Sequence, residues 1–181
     1  VTIQAEGVAR HSGDTSCVGT RYVLDVAGAT PDAVRNTPAQ DYFTLDGFMI
    51  TDVGATNGGG LTLQGQNITI KNMIIYDLYS NASSTSGISV GTPNTSFVVE
   101  NTIFQGEMAS AVVGWASDPV INYNFTMRNC IVDIINPTPT AFDIRGNNDG
   151  SSDLSGSQIS IINTMFLGSY ENNLAIIERT A

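Results

Sequence analysis

Five stretches of the chain repeat one short pattern of apolar and polar positions: Phe43 to Val53, Ile68 to Leu78, Phe97 to Glu107, Phe125 to Ile135 and Ile159 to Ser169. Each runs apolar, Thr/Val/Ser, apolar, variable, Asn or Gly, variable, then two large apolar residues. The fifth positions are Gly47, Asn72, Asn101, Asn129 and Asn163, at intervals of 25, 29, 28 and 34 residues. Self-similarity at such a period signals a stack of structural repeats. Alternation over the first four positions has the two-residue period of a half-buried strand, not that of a helix. It predicts that Phe43, Ile68, Phe97, Phe125 and Ile159, with Leu45, Ile70, Val99, Met127 and Ile161, face one core. Thr44, Thr69, Val98, Thr126 and Ser160 are then the outward row. The pair after the fifth position, such as Ile74 and Ile75, is apolar on both sides, so alternation does not assign its facing.

Asn and Gly at the fifth position tolerate the left-handed backbone that a sharp turn demands. Stacked in register about 4.8 Å apart, the asparagines are expected to form a ladder inside the stack, each amide satisfying the next. The residue before each of them tests that register. Down the stack it reads Asp46, Lys71, Glu100, Arg128 and Ile162, so sign alternates on neighbouring rungs, which suits in-register parallel pairing. Lys71, the chain's one lysine, is then a rung-to-rung ion-pair partner before it is a catalytic base.

A second short strand follows each repeat: Leu61 to Leu63, Ile88 to Val90, Ala111 to Val113, Ala141 to Ile144 and Leu174 to Ile177. One rung therefore holds a bent strand pair around the asparagine, a connection and a further strand. The connections vary in length while the strands do not, as in repeat stacks that carry specificity on their loops. Residues 1 to 42 read as an irregular first turn, with strands at Val1 to Ala5 and Tyr22 to Val26. Thr30-Pro31-Asp32 has the capping chemistry of a helix start, predicting a short helix near 31 to 36.

The strand-Asn-strand rungs, over roughly residues 40 to 177, resemble the right-handed parallel β-helix of the pectate-lyase-like superfamily. The resemblance implies an all-β chain: a right-handed, single-stranded solenoid with an Asn ladder and about five to seven rungs. Residues 1–181 would form one β-helix domain, irregular over 1–42 and regular over 43–177. It does not imply one activity, because that superfamily spans polysaccharide lyases, glycoside hydrolases, phage tailspikes, adhesins and surface proteins without catalysis. The Asn-Thr-Asp, Asp-Asp, Gly-His-Gly and Arg-Ile-Lys signatures of its pectin hydrolases do not occur here, which counts against that activity.

Composition narrows the partners. At 181 residues the chain is sized for one domain, and 41% apolar residues with 18 glycines fit an ordered β protein. A net charge of -10 repels phosphate backbones, so nucleic acid is not an expected partner. No apolar run approaches the roughly 20 residues of a membrane span, and the first residues do not read as a signal peptide. Both ends begin or stop in strand pattern. The expectation is a processed chain, a piece of a longer one, or ends covered in a homo-oligomer or larger assembly. Cys17 falls in a loop, whereas Cys130 follows a ladder asparagine and is expected to pack among its equivalents. His11 is the chain's one histidine, a poor basis for a zinc site or a catalytic triad.

Glycoside hydrolysis needs paired carboxylates, and a lyase of the resembled superfamily needs an Arg or Lys base near a neutralising cation. On the second-strand face the outward residues are expected to be Thr62, Ser89 and Asp143, with Val113 beside them. Asp143 and Arg145, in Phe-Asp-Ile-Arg-Gly, are the candidate catalytic pair, with an exposed polar strand end as the plainer reading. Asn147 to Asp153 is rich in oxygen donors, so Asp149 and Asp153 are candidate Ca²⁺ ligands, although such clusters commonly serve as turns. No other cofactor is expected. Trp115, with Asp118, Asn122 and Tyr123 on one loop excursion, is the candidate sugar platform, to which Tyr76 and Tyr79 could add. Asn67, Asn81, Asn94 and Asn124 head Asn-x-Ser/Thr sequons. The expected function is an extracellular or virion-surface structural or adhesin β-helix that binds glycan through its loops. The alternative is a polysaccharide lyase or glycoside hydrolase.

Overall fold

A computed structural model describes residues 1–5, 23–25, 33–35, 41–51, 60–76, 78, 86–91, 96–115, 122–135, 140–145, 156–168 and 175–177. Among the described residues eighteen strands follow one another in six turns of three. The first turn is β1 (Thr2–Gln4), β2 (Val23–Asp25) and β3 (Val34–Arg35). The second is β4 (Thr44–Asp46), β5 (Met49–Thr51) and β6 (Leu61–Leu63), and the third β7 (Ile68–Lys71), β8 (Ile74–Tyr76) and β9 (Ser86–Val90). The fourth is β10 (Ser96–Glu100), β11 (Ile103–Glu107) and β12 (Ser110–Trp115). The last two are β13 (Asn124–Arg128), β14 (Ile131–Ile135) and β15 (Thr140–Arg145), then β16 (Gln158–Ile162), β17 (Met165–Leu167) and β18 (Ala175–Ile177). Every third strand joins the same parallel sheet. Sheet A orders β1-β4-β7-β10-β13-β16, sheet B β2-β5-β8-β11-β14-β17 and sheet C β3-β6-β9-β12-β15-β18. Among the described residues the chain is a parallel β-helix of six rungs.

Alternation decides which residues enter the core. Phe43, Leu45, Ile68, Ile70, Phe97, Val99, Phe125 and Met127 of sheet A are buried, while Thr44, Thr69, Val98 and Thr126 are half-exposed on the other side. Each buried Leu, Ile or Phe contributes about 1.5–3 kcal/mol relative to its exposed state. The pair that alternation left open divides. Ile50, Ile75, Phe104 and Val132 enter the core. Register makes Met49, Ile74, Ile103, Ile131 and Met165 a second file on the opposite side of sheet B. Rings tie the sheets together: Phe97 stacks on Phe125 at 5.8 Å, and Phe142 of sheet C meets Phe125 edge-on at 5.3 Å and Phe166 of sheet B at 6.2 Å. Within sheet C, between β9 and β12 of adjacent rungs, the backbones come close. A Cβ on Gly87 would lie 2.7 Å from the Ala111 carbonyl oxygen, so glycine alone fits there.

The first 42 residues, expected to be irregular, give one strand to each sheet. The helix expected near 31 to 36 is not formed at the described residues 33–35. Val34 and Arg35 pair with Leu61 and Thr62 instead. Val34 packs against the core, and that non-local burial outweighs the local capping signal of Thr30-Pro31.

The turn between sheets A and B is left-handed at its fifth position in every repeat: Gly47 φ 89°, Asn72 54°, Asn101 48°, Asn129 54° and Asn163 48°. The Asn101 amide donates to Asn72 Oδ1 at 3.2 Å, Asn163 to Asn129 Oδ1 at 2.9 Å, and Asn72 to Asp46 Oδ1 at 2.6 Å. The ladder is described in part, over Asp46-Asn72-Asn101 and over Asn129-Asn163, and not inside the stack as expected, because Asn101, Asn129 and Asn163 are exposed. A left-handed residue at an outer corner points its side chain away from the core. Its value is therefore conformational rather than the rescue of buried amides.

Because a β-carbon in the left-handed region costs roughly 1–2 kcal/mol unless a short polar side chain offsets it, Asn101→Ala is expected to lower unfolding free energy by about that amount. Asn101→Gly should recover most of it. Equal losses for the two in denaturant titrations would show that the amide bond, not the dihedral, is what the position requires.

Candidate functional site

Sheet C carries most of the chemistry-bearing candidates. Its second and third rungs begin with alternating apolar triplets, Leu61-Thr62-Leu63 and Ile88-Ser89-Val90, whose ends are buried and whose middle residue is half-exposed. Backbone register then aligns Arg35, Thr62, Ser89, Val113, Asp143 and Ala175 in one file. The expected outward residues Thr62, Ser89, Val113 and Asp143 are thus on successive rungs. Two residues further along, Trp115 is the register partner of Arg145, which in turn faces Ile177. On the rungs below stand Gln64 and Gly91, where the Gln64 amide nitrogen lies 3.5 Å from the Cβ that Gly91 lacks. Two sites expected to be separate, Trp115 and the Asp143/Arg145 pair, are therefore neighbours on adjacent rungs.

The structure rearranges the expected sugar platform. Trp115 does not stand on a loop excursion but ends strand β12, held there by its pairing with Arg145. Tyr123 is not a surface ring. It is 3% exposed and belongs to the core, because the inward alternation of Phe125 and Met127 extends one step upstream to it. Asn122 is exposed, and a Cβ on Gly156 would collide with its side chain. Tyr76 is exposed on sheet B, a different face from Trp115. Asp118, Tyr79, Asp149, Asp153, Cys17 and His11 lie outside the described residues. Among the described residues no three His, Cys, Asp or Glu side chains converge as a metal site, and no helix is long and apolar enough to cross a membrane.

The ion pairs read from the sequence are in place: Lys71 Nζ lies 3.5 Å from Asp46 Oδ2 and Arg128 donates to Glu100 at 2.8 Å. Lys71 is thus committed to Asp46, whose buried carboxylate also accepts from Asn72. The solvent-accessible Arg128–Glu100 pair contributes at most about 1 kcal/mol, so it fixes register more than it stabilises. Cys130 is buried among its rung equivalents Met73 and Thr102, as expected. Burial pushes its thiol up to about 11, although it donates to the Arg128 carbonyl at 3.3 Å. Thr102 and Thr164 hydroxyls bond the carbonyl two residues back in the same way, at 3.0 and 3.1 Å. Cys130 is therefore a turn-bracing residue, not a nucleophile.

Sequence reasoning missed Tyr42, which is 71% exposed with φ 57°, and its upstream companions in the same file. Starting each repeat one residue earlier would have exposed the oddity, since that position reads Tyr42, Asn67, Ser96, Asn124 and Gln158.

Comparison with protein-family models, curated proteins and solved structures returns no match.

The Tyr123 hydroxyl is buried with no hydrogen-bond partner among the described residues, and burial raises its pKa well above the ordinary value. Removing it in Tyr123→Phe is expected to leave stability unchanged or raise it by about 1 kcal/mol. Tyr123→Ala should lose roughly 3–5 kcal/mol, as for other buried aromatics. A clear loss in the Phe variant by thermal unfolding would reveal a partner for the hydroxyl. Peptide mapping after iodoacetamide at pH 8 should find Cys130 unmodified in the folded protein and alkylated in denaturant. Alkylation without unfolding would contradict its burial.

Proposed function

We propose that this chain is a non-catalytic surface β-helix, extracellular or on a virion, that binds glycan on the outer face of sheet C. The observation that carries the reading is the register pairing of Trp115 with Arg145 beside Val113 with Asp143. An aromatic residue, a guanidinium and a carboxylate on two adjacent rungs supply the residue types that pack on a pyranose face and bond its hydroxyls. Rigid strands, rather than loops, hold their backbones, which favours a preorganised binding site. Further subunits joined to the stack in a homo-oligomer or larger assembly belong to the same proposal.

A second reading, a polysaccharide lyase or glycoside hydrolase working through Asp143 and Arg145, draws on the same pairing. Against a hydrolase stands the composition of the file itself. Arg35, Thr62, Ser89, Val113, Asp143 and Ala175 contain one carboxylate, where hydrolysis uses two.

The test is a panel of acidic and neutral polysaccharides, followed for new reducing ends, for unsaturated uronate absorbance and for binding. Expected is binding without product, weakened about tenfold or more by Trp115→Ala and by Arg145→Ala with the β-type circular dichroism spectrum intact. Product formation abolished by Asp143→Ala would replace this reading with the enzymatic one.

A further inference from the structure

The leading edge of sheet A carries a second, unassigned file on the outside of the stack. Register aligns Ser96 with Asn124 and Asn124 with Gln158. One residue upstream of the pair Ile68↔Phe97 and two upstream of Thr44↔Thr69, the same file continues to Asn67 and Tyr42. The Tyr42 amide donates to the Gln66 carbonyl at 2.9 Å, and the Gln66 amide to Asp41 Oδ1 at 2.9 Å, so this end of the file is pinned by its backbone. Tyr42, Asn67, Asn124 and Gln158 are exposed and Ser96 is half-buried. Among the described residues none of these five side chains makes a hydrogen bond.

Tyr42 is the unusual member. Its φ of 57° lies in the left-handed region, where the other described non-glycine residues are all asparagines, Asn67 on the next rung included. Asn adopts this backbone readily, whereas a bulky aromatic does so only under strain. The ring is also 71% exposed, so burial does not compensate the strain. A strained backbone presenting an uncovered ring is what a binding platform requires and what folding alone does not.

We propose that the file Tyr42–Asn67–Ser96–Asn124–Gln158 is a track for an uncharged, extended polysaccharide lying along the stack axis, with the Tyr42 ring as its stacking platform. The proposal rests on the reading of this chain as a glycan-binding surface protein, but it places the contact on a different sheet. Neutrality of the ligand follows from charge. The file itself has no ionic side chain, and the charged file nearby is internally paired, Asp46 with Lys71 at 3.5 Å and Glu100 with Arg128 at 2.8 Å. The net charge of -10 disfavours an anionic polymer. Spacing fits as well. Rungs recur about every 4.8 Å, comparable with the length of one sugar unit, so successive units meet successive amides and hydroxyls. Aromatic face plus amide donors and acceptors is the chemistry that recognises a pyranose ring and its hydroxyls.

The experiment uses the full chain made without glycosylation, since Asn67 and Asn124 head sequons. Affinity electrophoresis through mixed-linkage β-glucan, galactomannan, xylan and, as the anionic contrast, alginate is run beside thermal unfolding. Expected is retardation by at least one neutral polymer and not by alginate. Tyr42→Asn should weaken it tenfold or more while raising the unfolding midpoint by about 2–4 °C, because the strain is relieved. Asn124→Ala should weaken it several-fold, and Trp115→Ala should leave retardation by that polymer in place, its effect being confined to ligands of the sheet C face. Retardation that survives Tyr42→Asn and Asn124→Ala but is lost with Trp115→Ala overturns the track and leaves the sheet C reading standing. A lower midpoint for Tyr42→Asn marks the ring as a packing group and overturns the track too, and absence of retardation by any polymer overturns both readings.

Discussion

In-register parallel stacking is the constraint on which everything else in this molecule depends. Because strands of successive turns pair without offset, each position in the repeat becomes a file along the stack, and in the core files like meets like. Apolar files close the core, as Leu45, Ile70, Val99 and Met127 show. A slip of one residue would move all of these outward at once and bring the threonine file in. Charges guard against the slip: Asp46, Lys71, Glu100 and Arg128 attract their neighbours only in the observed register. The left-handed turn that follows keeps sheets A and B bent apart by the same amount on each rung, so the files of one sheet stay aligned with those of the next.

The same constraint explains how a polar surface acquires function. A file on the outer side need not pack, so its residue types are free to vary. On sheet C one register file changes from Thr62 and Ser89 to Val113 and Asp143 within a few rungs, while the neighbouring file of Leu61, Ile88, Val112 and Phe142 stays apolar. Residues far apart in sequence, Trp115 and Arg145 among them, become neighbours through a single rung step. Functional grouping here follows the stacking period rather than any local motif.

That also accounts for what the sequence disclosed and what it hid. The repeats around Asn72, Asn101, Asn129 and Asn163 were legible because two signals coincided, apolar alternation and a turn residue at fixed offset. Their charge alternation, read from four residues, is matched by two ion pairs. Sheet C was legible only as short triplets, so the end of β12 was not visible and Trp115 was expected on a loop. Tyr123 was misplaced for a related reason. Asn124 looks like a loop residue, and only the strand's continuation through it reveals that position 123 shares the inward parity of Phe125. Burial of Val34 against a strand more than 25 residues away, at Leu61, is a non-local fact that no capping motif could anticipate.

The amide ladder at the outer corner has a direction. In each of the three described links the nitrogen belongs to the later rung and the oxygen to the earlier one, Asn163 to Asn129, Asn101 to Asn72, and Asn72 to Asp46. The series ends on a carboxylate, which has oxygens to offer and, when ionised, no proton to give onward. The stack is thus polarised, with a donor-seeking base at Asp46. An asparagine rung can offer one donor downward and one acceptor upward. The Asp46 rung, which lies above β1, accepts from Asn72 without donating onward, so the amide series stops one rung short of the first strand.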